Sequence, residues 1–168
     1  MENTFGMDII PQNEAERLEN LKKYKILYTR TEPIFDQLAA VAATVLKVPV
    51  AMINFVDQDK VWTKANQEGE NGQEVPRGTS LCSLAILNDE VTVFENALEE
   101  PCLIANPLVA GNFGLRFYAA APIRSPEGFN LGAICVVDKK ARKFTEKEQQ
   151  KLEWVAAMIE KEVGKRAG

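Results

Sequence analysis

Apolar residues recur at helical spacing in three stretches of this chain and crowd into strand-like runs in four others. Phe35, Leu38, Ala39, Ala42, Val45 and Leu46 fall at i, i+3, i+4, i+7, i+10 and i+11, which predicts an amphipathic helix starting near Thr31 and Pro33. Its alanines permit close packing on a sheet, and Lys47 and Pro49 end it, because the residue before a proline is pushed out of the helical region. A second regular stripe, Leu152, Val155, Ala156, Ile159 and Val163, follows Thr145 and Glu148, which stand at capping-box spacing. The stretch from Asn13 is thinner. Ala15, Leu18, Leu21 and then Tyr24 or Ile26 form its stripe, with Asn13 as N-cap and Glu16 three residues on. So narrow a stripe suits a helix packed partly on the domain and partly on another helix.

Residues 48–56 are apolar except for Asn54, which predicts a strand buried on both faces. Asp57-Gln58-Asp59-Lys60 is the turn of a hairpin that returns over residues 61–65, and residues 66–71 are a polar loop. A second hairpin, residues 116–124 and 130–138, flanks Ser125-Pro126-Glu127-Gly128. Between the hairpins lies an irregular stretch, residues 67–115, too rich in residues such as Leu81, Leu84, Ile86, Leu103 and Val109 for a surface loop. It is expected to cover the second face of the sheet and to leave a cavity beneath it. The order gives an α+β fold: a central antiparallel sheet, N- and C-terminal helices on one face, and an irregular helix and loop cover on the other. Residues 1–12, aperiodic and containing Gly6 and Pro11, are expected as a flexible or partner-docked arm, with residues 13–168 as one domain.

Composition removes function classes more than it supplies them. Twenty basic against twenty-four acidic residues, a net charge of −4, argue against nucleic acid as a partner. No membrane-spanning run and no secretory signal are visible, so a cytoplasmic protein is expected. There is no histidine, which removes Ser-His-Asp and Cys-His nucleophiles, His-ligated zinc and His phosphoacceptors together. The three cysteines, Cys82, Cys102 and Cys135, form no CxxC pair, so reduced thiols are expected and neither a metal nor a cofactor. An EF-hand-like run from Asp57 fails because Trp62 stands where the loop needs glycine.

Candidate site residues come from polar and aromatic side chains in apolar surroundings. Asn54 must find partners, since an unpaired buried amide costs about 1–3 kcal/mol; it either bonds a neighbouring loop or reads a ligand. Asn106 can cap a short helix starting at Pro107, or place backbone N–H groups at the mouth of the cavity. Cys135, mid-strand, is a small core residue or a pocket thiol. Cys82 is a buried structural thiol or a redox nucleophile with Cys102 as its resolving partner. Trp62, Phe94, Phe117 and Tyr118 are core residues or line the cavity.

Taken in order, Val48-Pro49-Val50-Ala51, Asp57, Trp62, Pro76-Arg77, Ser80-Leu81-Cys82, Asn106-Pro107-Leu108-Val109, residues 116–122 and residues 131–138 resemble the GAF family of small-molecule sensory domains. The resemblance runs from Asn13 to Val163 and is to the bacterial subgroup found with sensor histidine kinases and diguanylate cyclases. It implies a sensory or regulatory domain in signal transduction that binds an unidentified small molecule. Asn54, Trp62, Cys82, Phe94, Asn106, Phe117, Tyr118 and Cys135 are its expected ligand-binding set. Output is expected through a homodimer of the terminal helices or through a signalling protein in trans, without enzymatic activity. The subgroup carries a histidine where Leu84 stands, and an Arg-Phe pair and an acid near Cys102, Leu103 and Ala105; these departures imply a less polar pocket. Two alternatives are a thiol-dependent free methionine sulfoxide reductase and a degenerate scaffold whose sheet face is packed solid.

Overall fold

A computed structural model describes residues 1–167; residue 168, the last of the expected domain, lies outside the described residues. In chain order the elements are α1 (Glu14–Tyr24), α2 (Pro33–Leu46), β1 (Val50–Val56), β2 (Lys60–Asn66), β3 (Glu74–Pro76), α3 (Cys82–Ala85), β4 (Thr92–Phe94), α4 (Pro107–Ala110), β5 (Phe117–Arg124), β6 (Asn130–Asp138) and α5 (Glu146–Gly164). The six strands form one sheet in the order β3-β2-β1-β6-β5-β4, antiparallel throughout. This is the α+β architecture that the order of patterns predicts. Short edge strands β3 and β4 emerge from the stretch read as irregular; three residues each are too few to show a period.

The two hairpins meet at β1 and β6, where Ile53 faces Ile134 and Asn54 faces Ala133. Glycine is needed at this seam, because a Cβ on Gly132 would lie 2.0 Å from the Asn54 carbonyl oxygen. Strand alternation then sorts the side chains into two cores. Ala51, Ile53, Phe55, Phe117, Ile134 and Val136 pack against the stripes of α2 and α5. Val56, Tyr118, Ala133, Cys135 and Val137 face the cover, packing with residues such as Leu81, Leu84, Leu103 and Val109. Lys64 is the extra residue of a β-bulge, since Asn54 pairs with Thr63 while Ile53 pairs with Ala65.

Helix α5 starts with the full capping box, Thr145 Oγ1 accepting from the Glu148 N–H and Glu148 accepting from the Thr145 N–H. Helix α1 differs from its sequence pattern. Asn13 has φ −97° and ψ 26° and makes no capping bond, and the helix buries Arg17, Asn20, Leu21 and Tyr24 while Ala15 is exposed. The reason is a set of polar partners distant in sequence. Arg17 donates to Glu14 (2.9 Å) and to the Val56 carbonyl (2.8 Å), while Asn20 (2.9 Å) and Tyr24 (2.5 Å) donate to Glu127 in the β5–β6 turn. Arg77, itself without exposed surface, closes on Glu14 at 2.5 and 3.1 Å.

Residues 1–12, expected as a flexible or partner-docked arm, lie against their own domain and bury Phe5 and Ile9 in the second core. The Thr4 N–H donates to the Gly78 carbonyl at 3.0 Å, and a Cβ on Gly78 would meet the Glu2 carbonyl oxygen at 2.4 Å. At the other end of the chain Arg166 grips Glu32 with one nitrogen at 2.9 and 2.8 Å and the Lys25 carbonyl with the other at 2.8 Å. Glu32 also accepts from buried Lys64 at 2.5 Å, so the turn that follows α5 is tied to the start of α2 and to the bulge.

Burial alone would raise the Glu14 carboxyl, but the hydrogen bonds from Arg77 and Arg17 outweigh it and hold the pKa below its ordinary value of 4.5. A depressed carboxylate adds stability above its unfolded pKa, and that stability is lost as pH falls through the folded value. Glu14→Gln is therefore expected to destabilise the fold by about 3 kcal/mol at neutral pH, the low end for a buried ion pair broken on one side. Urea unfolding of both proteins across pH checks this. The gap between the curves should narrow steadily below about pH 4.5, the unperturbed glutamate value.

Candidate functional site

Between the sheet and its cover lies a cavity of about 220 Å3. Its sheet wall is Val50, Met52 and Asn54 of β1, Tyr118 of β5, and Cys135 and Val137 of β6; Leu81, Cys82 and Leu115 close it from the cover. The exposed lining residues, Glu68, Gly69, Leu108 and Phe113, mark its mouth. The even positions of β1 supply this wall because the odd ones belong to the helical core. Apart from its mouth the lining is largely apolar, interrupted by a polar cluster at Asn54 on the sheet side and by Ser80 in the cover.

The sheet-side cluster is built around Asn54. Its Oδ1 accepts from the Thr63 hydroxyl at 2.8 Å, which turns Nδ2 towards two sulfurs: Cys82 Sγ at 3.4 Å and Cys135 Sγ at 3.7 Å. Tyr118 donates its hydroxyl to Cys82 Sγ at 3.2 Å, and its ring stacks at a tilt on Phe94, with centroids 6.2 Å apart. Asn54 thus bonds side chains rather than a loop backbone, and it also faces the cavity. The neighbouring Cys135 thiol, then the hydrogen bonds from Asn54 and Tyr118, favour a thiolate at Cys82 against burial and lower its pKa below the usual thiol value. The same pairing, with burial, pushes Cys135 well above its usual range. Burial, the neighbouring sulfurs and the bond to Cys82 keep the Tyr118 hydroxyl protonated.

Four of the eight expected site residues, Asn54, Cys82, Tyr118 and Cys135, line this cavity together. Phe94 stands behind Tyr118 without lining it. Asn106 is fully buried in the cover, where its Oδ1 caps α4 at the Leu108 N–H (3.0 Å) and its Nδ2 donates to the Thr79 carbonyl (2.9 Å). It shapes the roof rather than the lining. Phe117 lies in the helical core against Phe144, because it is one residue out of phase with Tyr118. Trp62 points away from the cavity for the same reason, Val61 and Thr63 being its cover-facing neighbours, and it packs on Tyr28. Cys102, expected as the resolving thiol of Cys82, sits on a separate turn at 101–103, where burial and Glu100 raise its pKa. Leu84, at the position of the subgroup's histidine, is core. Met52, Val137, Leu108 and Phe113 also line the cavity; strand parity in β1 and β6 is the available signal for the first two, while Leu108 in α4 and Phe113 after it have none.

The family model for the GAF domain matches residues 30–163. A cyclic di-GMP phosphodiesterase of Pseudomonas aeruginosa is 31% identical over 150 residues, which is 89% of this chain and 25% of that protein; the chain thus spans about a quarter of this curated relative. Among solved structures, the GAF domain of an Acinetobacter phosphoenolpyruvate-protein phosphotransferase superimposes with a TM-score of 0.65 at 18% identity, covering 89% of this chain and 94% of that one. A free methionine-R-sulfoxide reductase from Neisseria meningitidis gives 0.64 at 20% identity, covering 92% and 93%; the likeness at this identity is one of fold.

If Asn54 and Tyr118 hold the Cys82 thiolate, Asn54→Ala and Tyr118→Phe should each raise its titration midpoint. A hydrogen bond to a charged group is worth about 1.5–3 kcal/mol, so each variant is expected to move the midpoint up by about one pH unit. Thiolate absorbance against pH, in a Cys102→Ser background, measures the change. An unmoved midpoint in both variants would contradict the arrangement.

Proposed function

The chain belongs to the GAF domain family, and from that premise we propose that it is a sensory domain that admits a small, largely apolar molecule to the cavity over its sheet. The observation that carries this reading is the cavity itself, largely apolar around the polar groups of Asn54 and Ser80. Its size sets the ligand class. An apolar cavity of about 150 Å3 accommodates benzene, so about 220 Å3 suits a single substituted ring or a short aliphatic chain. A cyclic dinucleotide is far larger, so the activity named for the Pseudomonas relative is not proposed for this cavity. The open space also speaks against a scaffold whose sheet face is packed solid.

The occupied state is proposed to reach the terminal helices through the cover. Cys82 in the cavity wall begins α3; the next residue, Ser83, donates to the Arg77 carbonyl at 2.6 Å; and Arg77 holds Glu14 at the start of α1. Helix α5 carries Trp154, 58% exposed, and α2 begins with exposed Ile34, a surface suited to a second copy or to a signalling protein in trans. A helix-mediated homodimer is the form proposed. Sedimentation at low micromolar concentration should show a dimer that Trp154→Glu dissociates, whereas a monomer under all conditions would remove this part of the reading.

Ligand entry is tested by thermal unfolding with small apolar probes, indole and toluene, against a variant whose cavity is filled. At ten times its dissociation constant a probe contributes about 1.4 kcal/mol, which for a chain of this size raises Tm by about 3–6 °C. Val137→Phe should abolish the shift while remaining folded, since overpacking costs about 1–3 kcal/mol. A wild-type Tm indifferent to the probes, or a variant that responds equally, contradicts the proposal.

A further inference from the structure

The two sulfurs at the sheet side of the cavity are unlike each other, and nothing in ligand binding requires both. Asn54 Nδ2 bridges them at 3.4 and 3.7 Å, and Thr63 fixes that amide so that it cannot turn away. Cys82 Sγ gathers the donors, Asn54 and Tyr118 among them, while Cys135 lies at the strand centre as the neighbouring thiol. Both line a cavity whose mouth is formed by exposed residues, and both are nearly closed to bulk water, at 2% and 1% exposure. A small uncharged oxidant can therefore reach sulfurs that a bulky or charged one cannot.

We propose that Cys82 and Cys135 are a dithiol that reacts with small organic hydroperoxides entering the cavity, Cys82 as the attacking sulfur and Cys135 as the resolving one. In the first step the Cys82 thiolate attacks the terminal peroxide oxygen. The S–O bond forms, the O–O bond breaks, sulfur is oxidised to the sulfenic acid, and the alkoxide leaves as the alcohol with the Tyr118 proton. Tyr118 then recovers a proton from Cys135, whose thiolate attacks Cys82 Sγ. The S–S bond forms and hydroxide leaves to become water with a proton from solvent, equal to the one Cys82 gave up at the start. Two thiols and one hydroperoxide thus give one disulfide, one alcohol and one water.

The arrangement supports each role. The donors on Cys82 Sγ lower its pKa and favour the thiolate there, whereas Cys135, raised well above its usual range, keeps the proton that Tyr118 takes back. Cys102, half-buried on its own turn, takes no part. The disulfide would fasten α3 to β6 and deprive Asn54 of both sulfur partners, altering the same cover segment that leads to Arg77.

The test is treatment of the full chain with cumene hydroperoxide, hydrogen peroxide or glutathione disulfide, followed by non-reducing peptide mapping. Expected is a disulfide between the peptides of Cys82 and Cys135, reversed by dithiothreitol, unaffected by Cys102→Ser and not produced by glutathione disulfide. The rate should fall as the pH is lowered from 8 to 6 and the Cys82 thiolate is protonated. Cys135→Ser, with Cys135→Ala as the second variant should the first not fold, should stop at a sulfenic acid on Cys82 that dimedone traps. Modification confined to Cys102, an inert Cys82, or the same product with and without Cys135 would each overturn the proposal. The wild-type map stands without any variant. Because the readout is mass rather than ligand affinity, inert thiols beside a probe-binding cavity would defeat this proposal and leave the ligand reading intact.

Discussion

Arg77 is fully buried, and three parts of the chain meet at it: the first helix, the β1–β2 turn and α3. Its guanidinium donates to the Glu14 carboxylate of α1 and, at 3.1 Å, to the Asp57 and Gln58 carbonyls in the β1–β2 turn. Its own N–H donates to the Asp59 carbonyl at 3.0 Å, and its carbonyl accepts from Ser83 in α3. A buried cation costs several kcal/mol unless it is paired and hydrogen-bonded, so the hairpin turn, the first helix and the cover are obliged to assemble around it together. Gly78 follows at once and lets the N-terminal arm cross close by. With the bonds from Asn54 and Tyr118 to Cys82, and from Asn130 to the Ile86 carbonyl, this anchor sets the height of the cover over the sheet.

The cavity follows from that height and from strand parity. One face of β1, β5 and β6 is taken up by α2 and α5, whose stripes fill the space with regular apolar packing. The other face meets short helices and turns, which cannot match the pleat as closely and leave about 220 Å3 open. Asn54 is tolerated in the central strand only because Thr63, Cys82 and Cys135 satisfy it, at the point where a bulge at Lys64 shifts β2. The same constraint that makes the amide affordable brings two thiols to one place. A polar residue in a central strand has thereby become the organiser of the site.

Much of this was legible in the chain. The stripes of α2 and α5, the Thr145 capping box, both hairpins and the Asn106 cap all depend on residues a few positions apart, and local spacing reports them faithfully. What escaped depends on partners far along the chain. Helix α1 buries Arg17 and Asn20 because Val56 and Glu127 await them, which no stripe in residues 13–26 could reveal. The arm carries Phe5 and Ile9 without periodicity, so their burial has no local signature. In the site, Asn54 stands out as a polar residue in an apolar strand and Tyr118 as one of four aromatics, but Phe117 and Trp62 fall on the opposite face because parity requires the register between strands. Reactivity alone would pair Cys102 with Cys82; in the fold the thiol sharing the Asn54 amide with Cys82 is Cys135, from β6.

The central claim is that a small apolar molecule enters this cavity and that Arg77 carries its presence to the first helix. Amide NMR of the 15N-labelled protein, titrated with indole, tests both halves in one experiment. Saturable shifts are predicted for Met52, Asn54 and Cys135, and with the same binding constant for Arg77 and for residues 14–17; in Glu14→Gln the cavity shifts should persist while those of α1 fade. Cavity amides that do not move, or cavity shifts that leave α1 silent in the wild-type protein, would contradict the account.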